Sequence, residues 1–176
     1  VALLLREVLE PLGRTAALVT TDRTLARRVA AELARWGVAI DDSAGTPLDA
    51  TPPGTYLRLL AAALAEGAAP VPLLALLKHP LAAGGMAAGR FRRRVRRLET
   101  AVLRGPRPAS GLAGVAAALE PGASAPGARR PASLRDFVLD VDRRTRAFAD
   151  ALAAPSVDLA TLVRTHVAAA EALAAT

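Results

Sequence analysis

Apolar residues follow two different spacings along this chain, and the change between them divides it. Residues 15–20, TAALVT, are a short apolar run with β-branched residues at its ends, set after Gly13, which reads as a buried strand. Asp22 stands at an N-cap position. Leu25, Val29, Leu33 and Trp36 then recur every three or four residues, with Arg23, Arg27, Arg28 and Arg35 largely off that stripe. Gly37 falls where a helix commonly ends on a left-handed residue. Val38 to Ile40 reads as a second strand, giving a strand–helix–strand unit whose crossover is right-handed if the strands are parallel.

Residues 41–54, DDSAGTPLDATPPG, are rich in turn formers, and from there on the period is helical. Thr51 and Pro52 read as an N-cap with proline in the first turn, and a helix is expected over about 53–66, closed by Gly67. PVPLLALLKH at 70–79 is a short apolar helix stopped before Pro80, and Gly84–Gly85 marks a hinge or loop. A helix over 87–104 carries the apolar stripe Phe91, Val95, Leu98 and Val102. A short helix at 111–119 leads to a Pro/Gly/Ala-rich stretch at 120–133, expected to be a mobile loop. S-L-R-D at Ser133–Asp136 reads as a capping box ahead of a helix bearing Leu134, Val138, Val141, Phe148 and Leu152. A last helix, starting near Val157, has Leu159, Leu162, Val163, Val167 and Leu173 as its apolar positions. The expected fold is mainly α with a small α/β start, residues 1–50 forming the α/β part and 51–176 the helical part.

Composition narrows the core and the chemistry. The chain has 176 residues, 52% hydrophobic but only 3% aromatic, so Leu, Val and Ala must build the interior. With no cysteine it has no disulfide, thiolate metal site, iron–sulfur ligation or Cys nucleophile. No apolar run reaches the roughly 18 residues of a membrane span. The chain begins on Val1 and stops on Thr176 inside a helical pattern, so both ends read as cut from a longer protein. No phosphate-cradling G-x-x-x-x-G-K-[ST] loop and no G-x-S-x-G elbow is present.

Charge adds the sharpest local feature. The net charge is +7, and residues 86–110 alone hold eight arginines against Glu99, so this one segment accounts for the whole excess. Arg93, Arg97 and Arg104 share a face of the expected helix, flanked by Arg90, Arg94 and Arg96. Such a face suits a phosphate backbone, which it would contact by charge without reading sequence. A solvated face, or one docked on an acidic partner, uses the same residues. Lys78 and His79 end the preceding helix, where cations complement the helix dipole or reach DNA. His166 lies among alanines and reads as structural, Asp41–Asp42 as turn formers, and Glu66 and Glu99 have no obvious acid–base partner.

Four stretches in order, AALVTTDRTLARRVAAELARWGVAIDDSAGTPLDATPPGTYLRLLAAAL, PVPLLALLKHPLAAGG, FRRRVRRLETAVLRGPRPASGL and LVRTHVAAAEALAAT, are similar to AddB subunits of alphaproteobacterial AddAB helicase–nucleases. The resemblance implies a UvrD-like helicase motor lobe at the start, followed by a helical insertion. It places Thr21 where active relatives carry the phosphate-contacting arginine of motif IV, with Arg23 two residues on, which implies a degenerate motif. It further implies a role in double-strand break repair and recombination, with AddA and DNA ends or single strands as partners, in the cytoplasm. ATP, Mg and an iron–sulfur cluster would serve the parent complex rather than this segment. The alternative from the residues alone is a non-catalytic helical interaction module without a DNA role.

Overall fold

The computed structural model describes residues 1–120 and 132–175, Ala132 and Ser133 by their backbone alone. Residues 121–131 of the expected loop lie outside the described residues, as does the Ser133 side chain of the expected capping box; Ala132 and Ser133 belong to a helix and not to the loop. By its contacts the chain divides into two compact units, Val1–Gly45 and Thr46–Thr176. The described residues are mainly helical and include no β-strand.

In the first unit, helix α1 spans Ala2–Leu9 and α2 spans Arg23–Arg35. Asp22 caps α2 by accepting the Thr24 and Leu25 N–H groups at 2.8 and 3.1 Å. At the other end Gly37, at φ +72°, donates to Ala34 O, and Val38 N–H donates to Leu33 O. That pair of bonds is the Schellman arrangement, and it needs the left-handed residue that glycine supplies without a Cβ penalty. Val29 and Leu33 are buried, and the Arg6 guanidinium lies 4.9 Å over the Trp36 ring. The expected strands at 15–20 and 38–40 are not formed. No backbone hydrogen bond joins the two segments. They stand on either side of a cleft of about 580 Å³. A strand exists only through a paired ladder, so apolar sequence without a neighbour stays irregular.

The second unit is a helical assembly: α3 Pro52–Ala65, α4 Pro70–Lys78, α5 Ala88–Leu98, α6 Gly111–Ala117, α7 Ala132–Ala153 and α8 Leu159–Ala174. Thr51 caps α3 by accepting Gly54 N–H, and Asp158 caps α8 by accepting Thr161 N–H. The core joins Phe91, Phe137 and Phe148 to Leu60, Leu73, Leu76, Leu98, Leu134 and Leu173. Phe91 and Phe137 meet edge to face at 5.4 Å, bringing α5 onto α7. The Gly84–Gly85 pair is a tie: Ala83 and Gly84 N–H donate to Leu173 O, and Gly85 N–H to Ala175 O. The loop thereby satisfies carbonyls that the C-terminus of α8 leaves without helical partners.

Side-chain burial departs from the expected stripe on α8. Leu173 is fully buried, but Leu159, Val163 and Val167 are exposed, while Ala169 and Ala170 face the core. Leu162 packs against the core beside Leu173, so the inward face of α8 is shared by these two leucines and the small Ala169 and Ala170, which let the helix approach its neighbours closely. His166 joins that face, stacked 4.4 Å from Phe148 and bonded through Nε2 to Leu57 O at 3.0 Å, a structural tie from α8 to α3.

Two glycines give contrasting expectations. A Cβ on Gly54 would stand 1.8 Å from Leu48 O, whereas one on Gly89 meets nothing closer than the flexible Arg93 tip at 3.8 Å. Gly54→Ala should therefore destabilise by about 1–3 kcal/mol. Gly89→Ala should be neutral or stabilising by roughly half a kcal/mol. Thermal melts of the two variants check the order.

Candidate nucleic-acid interface

Helix α5 rests on Phe91, Val95 and Leu98, all essentially inaccessible to solvent. Successive residues turn about 100° round a helix, so the arginines fan out from that stripe on two flanks. Arg92 and Arg96 follow it on one side, Arg94, Arg90 and Arg97 lie on the other, and Arg93 points directly away. Arg94 is half-buried, its guanidinium 5.9 Å from the Phe137 ring centroid. Arg90, Arg92, Arg93, Arg96, Arg97 and Arg107 are exposed and form no ion pair with a described residue.

The helix does not continue to residue 104 in α geometry. Glu99–Leu103 is a π-helical turn, closed by Arg104 N–H donating to Glu99 O. The wider turn takes Arg104 out of the register that aligned it with Arg93 and Arg97. Its guanidinium instead donates to Glu99 Oε1 through Nη2 at 2.9 Å and Nε at 3.2 Å. From the end of α4, Lys78 Nζ reaches Glu99 Oε2 at 2.7 Å. Glu99 is only 9% exposed, and its carboxyl titrates below its ordinary value because Lys78, then Arg104, bond the charged form. The residue without an evident partner in sequence is thus the anchor of two cations.

Lys78, Arg92, Arg96 and Arg104 together line a cleft of about 540 Å³ floored by Leu77, Val95 and Glu99. Arg92 did not stand out in sequence, and Arg96 only as a flanking residue. The signal was the four-then-three spacing of Arg92, Arg96 and Glu99, which places all three on one flank. His79 does not add a cation to this surface. Its ring stacks 5.2 Å from Tyr56, its Nδ1 accepts the Leu81 N–H at 3.3 Å, and burial lowers its pKa, favouring the neutral ring. Beneath it the Tyr56 hydroxyl donates to Ala170 O, and burial pushes that hydroxyl up to about 12.

Thr21 and Arg23, the pair expected as a degenerate motif, lie in the other unit. Thr21 is exposed, while Arg23 makes a two-point contact with Asp42 at 2.8 and 3.0 Å. Asp42 also accepts the Ala44 N–H, the turn role expected of it. Among the described residues no three His, Asp or Glu side chains gather as a metal site, and no helix is long and apolar enough to cross a membrane.

The depressed Glu99 pKa fixes a sign. Its contribution to stability is present above the ordinary carboxylate value and is lost as pH falls through the lower folded value. Glu99→Gln should lower the melting temperature at pH 7, and its gap to the parent chain should narrow as pH falls below 4.5; a gap that stays constant under acidification contradicts the assignment.

No family model, no curated protein and no solved structure matches the chain.

Proposed function

We propose that the chain is a non-catalytic, DNA-contacting segment of a helicase–nuclease subunit of the AddB type, acting in double-strand break repair. The observation that carries this reading is the set of exposed, unpaired arginines on α5: Arg90, Arg93 and Arg97, with Arg94 beside them. Three i,i+4 like-charge pairs on one helix, Arg90–Arg94, Arg92–Arg96 and Arg93–Arg97, cost on the order of 1 kcal/mol together. A polyanion relieves that repulsion, and duplex or single-stranded DNA offers charges at a spacing arginines can follow. Contact would be to phosphates, since no aromatic side chain on α5 is free to stack on a base: Phe91, its one aromatic, is buried. The parent assembly would join AddA and use ATP, Mg and an iron–sulfur cluster supplied outside this segment.

One observation favours a second reading, a helical interaction module. Leu159, Val163 and Val167 form an exposed apolar row on α8, the kind of surface a protein partner covers.

Fluorescence anisotropy with labelled oligonucleotides separates the two. Arg93→Glu/Arg97→Glu should weaken binding at least tenfold and reduce the log–log salt slope by about 1.4–1.8. An unchanged slope returns α5 to a solvated surface and leaves the interaction module as the better reading. The chain alone should hydrolyse neither ATP nor DNA, and turnover that co-purifies through successive columns would overturn the non-catalytic part.

A further inference from the structure

The cleft beside α5 differs in kind from the helix's outward face. The outward arginines are separate charges on a convex surface, whereas Lys78, Arg92, Arg96 and Arg104 converge on one concavity of about 540 Å³. Two of these cations are already positioned. Lys78 and Arg104 are each held by a different oxygen of Glu99, at 2.7 and 2.9 Å. Their side chains nevertheless remain 49% and 69% exposed, so each keeps N–H donors free for a ligand. Arg92 and Arg96 stand one turn apart on the wall with no partner of their own.

The electrostatic sum in the cleft is four cations against one carboxylate, and that carboxylate lies beneath the cations, not among them. The floor beside it is Leu77 and Val95, each 1% exposed, so the field of the cations is directed outward into the opening. A chloride would meet the charge but not the geometry. A carboxylate has two acceptor oxygens for four converging donors. A phosphate group presents three or more, each able to take a charge-assisted bond, and arginine matches it with paired N–H groups.

We propose that this cleft is a discrete phosphate-binding site, with Arg92 and Arg96 closing on a phosphate that Lys78 and Arg104 hold from the far side. Glu99 is a positioning residue: it fixes two donors before the ligand arrives and reduces the ordering that binding must supply. The π-helical turn is part of the device, because it is what turns Arg104 onto the carboxylate. Such turns interrupt α-helices frequently at functional sites. The site stands whether or not the outward face of α5 meets DNA, since a free phosphate suffices as ligand.

Phosphorus NMR of inorganic phosphate titrated with the 176-residue chain, at fixed ionic strength, reads the site directly. Saturable broadening is expected, weakened roughly tenfold or more in Arg92→Gln/Arg96→Gln, which removes two charged donors. Arg93→Gln/Arg97→Gln should leave phosphate affinity within about twofold, because convex surface charges are screened. All four side chains are exposed, so both variants should keep the parent's melting temperature and circular dichroism. Equal weakening by the two double variants, or no saturation beyond what matched chloride produces, overturns the proposal. Competition by a 5′-phosphorylated but not a 5′-hydroxyl oligonucleotide supports the site with a terminal phosphate as its source. Competition by both supports it with a backbone diester.

Discussion

Burial of Phe91, Val95 and Leu98 holds in place a helix that its own charges would otherwise weaken. Each such side chain stabilises by about 1.5–3 kcal/mol when fully removed from water. The like-charge pairs along α5 cost a few tenths each, so burial wins by several-fold. That margin lets α5 carry six of the eight arginines of the basic segment. The same contacts set the rotation of the helix, with Phe91 against Phe137 fixing which arginines turn toward α4 and which turn away.

The second constraint is Glu99. An almost buried carboxylate without partners would be expensive, and here its oxygens are answered by Lys78 and Arg104. These ion pairs have exposed cationic ends, so their value lies in position more than in net stability. They tie the end of α4 to the end of α5 and leave one side of the pair open. A structural purpose alone would be served equally well by an apolar residue at 99, which would cost less to bury.

Helices were legible in the sequence wherever a cap and a stripe agreed. Asp22, Gly37, Thr51 and Pro52 mark the bounds of α2 and α3, because each acts on its own few residues through a local bond or a fixed dihedral. The buried side of α7 was legible for the same reason over most of its length: Leu134, Val138, Val141 and Phe148 are buried, whereas Leu152, expected on the same stripe, is exposed near the helix end. What failed depends on partners far away in sequence. The strands at 15–20 and 38–40 need a neighbour to pair with, and hydrophobic pattern cannot supply one. On α8 the inward choice of Ala169 and Ala170 is made by the helices it packs on. Arg104 was misplaced by one inserted residue of helical turn, which no spacing rule at 3.6 residues anticipates.

The cation distribution in the first unit bears on the same functional reading from another side. Arg23 lies two residues beyond Thr21, the position at which the sequence resemblance led us to expect a degenerate phosphate-contacting motif. Here it spends two donors on Asp42, and Asp42 spends its remaining capacity on the turn at Ala44. The contact raises the Arg23 pKa and lowers that of Asp42, chiefly through their mutual hydrogen bonds. Arg23 keeps further N–H donors, but a phosphate reaching them would lie beside the Asp42 carboxylate, which among the described residues pairs with Arg23 alone. Thr21, with no cationic group, offers no substitute. On α5 the situation is reversed, with arginines unpaired and one carboxylate already neutralised. The phosphate contacts proposed on α5 therefore do not depend on Arg23, whose guanidinium serves the turn at Asp42.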